Sequence, residues 1–222
     1  MYNTYKLAFA IGKDYNKKQV RLMYLCFGMI FFMLEMIKQC LLIHVGYNIW
    51  YFPFQLCSMP IYLNLFYAFT HKPKCLPTWL VDYGLLGGIA ALIVHSGFTD
   101  TPYLYITIHG YLWHSLMILE ALLILYKGDF HFKAYGHAVM LLLLLASIAE
   151  VINIMAHPYG DCDMFYISPY HLSSQPIFSH IDQLIGRPLG IIFYLLCMMA
   201  AGGILNLLGG LYNAHRRQKL HL

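Results

Sequence analysis

The chain has 222 residues, 60% of them hydrophobic and 11% charged, against roughly 25% charged in a soluble domain. Its formal net charge of +4 is small, and no nucleic-acid partner is expected. This balance excludes a soluble globular domain for most of the chain and predicts an all-α, polytopic membrane protein.

Six segments meet the length of about 20 apolar residues that a span needs. They are 20–45, 51–69, 77–95, 102–126, 135–157 and 188–212. Short polar links separate the first five, and a longer loop, 158–187, precedes the sixth. Residues 1–19 hold several lysines but no apolar run long enough for a signal peptide. They are read as a cytoplasmic N-terminal segment, 20–213 as a six-helix transmembrane domain, and 214–222 as a cytoplasmic basic tail. Twelve of the fourteen Lys and Arg residues lie before or at the very start of the first span or after the second, fourth and sixth. By the positive-inside rule both termini are cytoplasmic, giving a multi-pass protein of the cell membrane.

The six cysteines, Cys26, Cys40, Cys57, Cys75, Cys162 and Cys197, show no CxxC spacing. Neither a disulfide framework nor a zinc knuckle is expected.

Polar residues inside the spans mark the candidate site, because charged and amide groups at membrane depth are costly. In the first span Glu35, Lys38 and Gln39 fall at i, i+3 and i+4 and share a face. The second span is read as one helix starting at Pro53, whose missing N–H suits a first turn. Gln55 follows, and Cys57, Pro60 and Asn64 then share a face at i, i+3 and i+7. In the third span Gly84, Gly87 and Gly88 permit close helix approach, and Asp82 reads as an interfacial or packing residue. The fourth span carries His109 and His114, about 10 and 18 Å below the outer boundary at 1.5 Å per residue. Its Glu120 reads as structural. Cys57 is about 6–8 Å deep, so depth favours His109 as its partner. In the fifth span Glu150, Asn153 and His157 again share a face. Glu35, Gln39, Gln55, Cys57, His109, Glu150 and Asn153 therefore map to the outer half of the bilayer, with His114 beneath them.

Several of these residues fall in recognisable motifs. Pro53-Phe54-Gln55-Leu56-Cys57-Ser58 is the longest. Glu35 and Gln39 stand upstream of it; Leu86-Gly87-Gly88, then His114-Ser115-Leu116 and Asn153, stand downstream. Met164-Phe165-Tyr166 and Leu184-Ile185-Gly186-Arg187-Pro188 complete the series. In order and spacing the chain resembles the YwaF-type integral membrane proteins of bacteria. Those are similar to a vertebrate transmembrane acyltransferase of ether-phospholipid remodelling. The end of the third span departs from that pattern, with Ala91, His95 and Ser96 in place of its glutamine and threonine-proline.

The resemblance implies acyl transfer on a membrane phospholipid, and the residues suit that chemistry. A Cys57 thiolate would attack an ester carbonyl, and an alcohol or water would take the acyl group from the thioester. The resemblance places His114 as the base, with His109 as the alternative. Glu35 or Glu150 would orient the imidazole, and Gln55 and Asn153 would supply amide donors to the oxyanion. No metal and no cofactor is required. Two other classes remain open: a small-molecule binding or transport subunit without catalysis, and a metal-dependent lipid hydrolase using His95, His109, His114 and His157.

Overall fold

The computed structural model describes residues 17–70 and 73–221. Residues 1–16, most of the predicted N-terminal segment, lie outside the described residues, as does Lys72. The described residues form helices and turns, with no strand among them. Five helices are long and apolar enough to cross a membrane. They are α1 (Lys17–Val45), α3 (Cys75–Ile93), α4 (Leu104–Lys127), α5 (Tyr135–Ala156) and α7 (Arg187–His221). Shorter helices include α2 (Met59–Phe69) and α6 (Pro176–Ile185). The last helix runs unbroken through the predicted basic tail to His221.

The second predicted span is not one helix. Pro53 lies in an irregular stretch between two 3-10 turns, Ile49–Tyr51 and Leu56–Ser58. The continuous helix begins only at Met59, with Pro60 in its first turn. Two prolines seven residues apart compete to start this helix, and the later one does so. Cys57 therefore sits in a turn ahead of the helix rather than on a shared helical face with Asn64.

The whole stretch still runs antiparallel to α1. Gln39 Nε2 donates to the Tyr51 carbonyl at 2.7 Å. Gly28 faces Asn64 and Leu65 so closely that a methyl group there would overlap Leu65. The Tyr24 and Tyr67 rings are 4.1 Å apart, and Arg21 bonds the Ala68 carbonyl. From residue 21 to residue 39 this hairpin is about 27 Å long. At its Arg21 end, Tyr24 and Tyr67 both donate to Asp129 Oδ2, just beyond α4. Arg216 of α7 reaches the Tyr126 carbonyl at the same end. The chain thus returns to one end of the bundle after α2, α4 and α7.

Buried polar pairs knit the helices, as they must where no water is available. Asn206 of α7 donates to Asp82 at 3.0 Å, and the carboxylate is fully buried in a π turn of α3, Leu80–Gly84. Glu120 of α4 is bonded to Asn64 of α2. Both acids therefore serve packing, and neither lines the cavity described next.

The segment 158–187 is built rather than loose. Arg187 Nη1 lies 2.7 Å from Asp182, and Nη2 lies 3.6 Å from Asp163. Its Nε donates to the Ser168 carbonyl at 2.7 Å, and Nη2 to the Tyr166 carbonyl at 2.9 Å. Asp163 also accepts from the Ser168 N–H at 2.8 Å. Burial pushes the Asp163 carboxyl above its ordinary range, opposed by that N–H and by Arg187. Phe165 and Tyr166 both adopt positive φ, at 59° and 60°. For side chains of that size this costs on the order of 1–2 kcal/mol per residue. The Arg187 fork on the Tyr166 carbonyl is one of the contacts that holds them there.

Candidate functional site

A cavity of about 590 Å³ opens between α1, α3, α4, α7 and the turns that precede α2. Its wall includes Cys57, Gln55, Glu35, His109 and His114. Cys57 belongs to the turn that leads into α2, with Ser58 at the N-cap. The N-terminal end of that helix is thus close to the thiol.

Trp113 of α4 fixes the turn from the other side. Its indole N–H donates to the Cys57 carbonyl at 2.8 Å, and the His109 ring stacks on it at 5.1 Å. One turn along, His114 Nδ1 lies 2.7 Å from the Gly110 carbonyl. A carbonyl can only accept, so Nδ1 carries the proton and Nε2 the lone pair of the neutral ring. His109 is likewise bonded to the Leu34 backbone, and its Nε2 is buried without a partner. Backbone carbonyls, not carboxylates, therefore set both imidazoles. Glu35 is occupied elsewhere: it pairs with Lys38 at 2.8 Å and accepts from Gln39 at 2.6 Å.

Close packing holds His114 in place. Phe98 stacks on its ring at 5.3 Å and presses against Gly110, where an added methyl group would run into the Phe98 ring. Gly88 of α3 allows a second close approach, since a methyl group there would come within 3.0 Å of the His114 carbonyl oxygen. Gly110→Ala is expected to displace Phe98 and destabilise the protein by roughly 1–3 kcal/mol, the ordinary cost of overpacking. Thermal unfolding in detergent checks it; a wild-type midpoint would contradict this packing.

Gln39, Glu150 and Asn153 do not join the cavity wall. Gln39 spans from Glu35 to the Tyr51 carbonyl as a brace for the broken segment. Asn153 accepts from the Met164 N–H at 2.6 Å and donates to its carbonyl at 3.1 Å. With both ends of its amide used, it is a clamp on the 158–187 segment and not an oxyanion donor. Glu150 is bonded to Asn153 on the same face. Gln55 does line the cavity, with its Oε1 buried and unpartnered.

Three wall residues were not singled out as site groups from the sequence: Trp113, Tyr166 and Tyr194. Burial pushes the Tyr166 phenol well up, so it stays protonated as a donor, and Gln175 bonds it. Its place in the Met164-Phe165-Tyr166 motif was the one signal available. The histidines of the metal alternative do not converge. His95 pairs with Thr99 at 3.1 Å, and His157 stacks on Tyr170 at 3.7 Å. Among the described residues no three His, Cys, Asp or Glu side chains are placed to hold a metal ion.

No curated protein and no solved structure matches the chain. Residues 5–206, nearly its whole length, match the TMEM164 family, a family of transmembrane proteins. This is therefore a multi-pass integral membrane protein that belongs to the TMEM164 family.

Proposed function

We propose that the protein transfers or hydrolyses an acyl chain of a membrane phospholipid through a thioester on Cys57. The observation that carries this reading is the shared cavity: thiol, two histidines with a free ring nitrogen, and Gln55 all open onto it. His114 Nε2 takes the thiol proton, and the thiolate adds to the ester carbonyl. The Gln55 amide and the Tyr166 hydroxyl are the donors available to the oxyanion. Collapse expels the lysolipid alkoxide, which recovers the proton from the imidazolium, and leaves an acyl-cysteine. An alcohol or water then gives its proton to His114, attacks the thioester and releases the thiolate. The apolar remainder of the wall, with Trp50, Phe52, Phe98 and Ile106, suits an acyl chain.

The site works at the interface of the cell membrane in this reading, with six crossings and both termini cytoplasmic. The antiparallel course of 51–69 along α1 supports counting it as a crossing. The basic residues gathered at the Arg21 and Arg216 end support placing that end inside.

Labelling with a lipid-like, thiol-reactive probe tests the nucleophile. Wild-type protein is expected to label at Cys57 ahead of Cys26 and Cys40, which are exposed, and Cys57→Ser to lose that fast phase. Labelling spread evenly over all cysteines would sink the proposal.

A further inference from the structure

A second pocket, of about 680 Å³, lies at the opposite end of the bundle. Its wall joins three separate segments: Lys74 and Cys75 at the start of α3, 130–134 with His137 at the start of α5, and Gly210, Asn213 and Ala214 of α7. Lys74, Lys133, His131 and His137 supply basic groups, and among the described residues no acidic one lines it. Asp129, the acid closest in sequence, has its Oδ2 bonded by Tyr24 and Tyr67 instead. The floor is apolar. Phe130 and Phe132 pack on Gly209 and Gly210 of α7, and a methyl group at Gly210 would overlap the Phe132 ring. Thr78 ties the two sides together by bonding the Lys74 and His131 carbonyls, each at 3.0 Å. Both α3 and α5 present their N-terminal ends here, and the dipoles of two helices favour an anion at such a place.

We infer that this pocket binds a phosphate-bearing anion, either the headgroup of an anionic phospholipid or a free phosphate. Cationic side chains over an aromatic floor, at the end of a helical bundle, fit a lipid headgroup with its first methylenes below it. The pocket shares no lining residue with the Cys57 cavity, so the inference stands apart from the acyl-transfer reading.

Native mass spectrometry of the full-length protein in non-ionic detergent tests it. The protein is titrated with phosphatidylglycerol, with phosphatidylcholine of the same chains, and with inorganic phosphate as competitor. Phosphatidylglycerol is expected to bind with defined stoichiometry and at least tenfold more tightly than phosphatidylcholine. The double variant Lys74→Ala/Lys133→Ala should lose about tenfold or more of that affinity, given what each lysine contributes near an anionic headgroup. Lys18→Ala, which removes a charge from the same end outside the pocket, should lose little. Displacement by millimolar phosphate assigns the site to free phosphate; resistance to it assigns the site to the lipid. Equal retention of the two lipids with no phosphate binding overturns the inference, as does an equal loss in Lys18→Ala. Thermal unfolding of the double variant confirms that a loss of binding is not a loss of fold.

Discussion

Cys57→Ala is expected to abolish phospholipid acyl turnover, by roughly 10⁴-fold or more, as removal of a covalent nucleophile does elsewhere. The substitution deletes one sulfur from a half-buried turn, so the cavity it leaves is small and the fold survives. His114→Ala should slow turnover by about 10²–10⁴-fold, the range for loss of a positioned base. His109→Ala should cost less. Its ring also packs on Trp113, and so acts on Cys57 through the indole that holds the Cys57 carbonyl. The measurement is lipid acyl composition in cells lacking the protein, restored by wild type and by each variant. Full restoration by Cys57→Ala would return this thiol to an ordinary packing role. Equal effects of His109→Ala and His114→Ala would leave the base unassigned to His114.

Arg187→Leu should be the most damaging substitution for the fold. It removes the guanidinium that pairs with both Asp163 and Asp182 and strands both carboxylates in the interior. Breaking a buried pair by removing one partner costs about 3–5 kcal/mol. The Tyr166 and Ser168 carbonyls lose a donor in the same step. Arg187→Lys should recover only part of this, because a single ammonium cannot reproduce the planar fork that serves four acceptors. Thermal unfolding of purified protein decides it, and a wild-type midpoint for Arg187→Leu would refute the account. Since Tyr166 lines the cavity, any folded Arg187→Leu protein should also label more slowly at Cys57.

Hydropathy and length made five spans legible, because a long apolar helix is specified almost wholly by its own composition. The 51–69 stretch has the composition of a span but not its geometry. Pro53 carries the same start signal as Pro60, and only contacts from Gln39 and Trp113 distinguish them. The shared face of Glu150 and Asn153 was visible, but not its direction. It meets Met164 rather than the cavity, through a pairing eleven residues away that no periodicity records. That Cys57, Gln55, His109 and His114 lie near one another was legible because rise per residue converts position into depth. The aromatic half of the wall was not, since Trp113, Tyr166 and Tyr194 look like any lipid-facing aromatics in a chain so rich in them.

The brevity of α2 also bears on how the protein is made. Eleven helical residues reach about 16 Å, roughly half the hydrocarbon thickness. An insertion machine that weighs one segment at a time has little reason to retain such a piece by itself. The irregular turns before it would carry bare peptide groups into lipid. What makes the piece tolerable is α1, already synthesised, with Gln39 ready for the Tyr51 carbonyl and Gly28 open to Leu65. If 51–69 crosses, entry of the two as a helical hairpin would make the order of synthesis the order of assembly. Changes at Gln39 or Gly28 would be felt at the ribosome, as failed insertion, before they could be felt as altered chemistry.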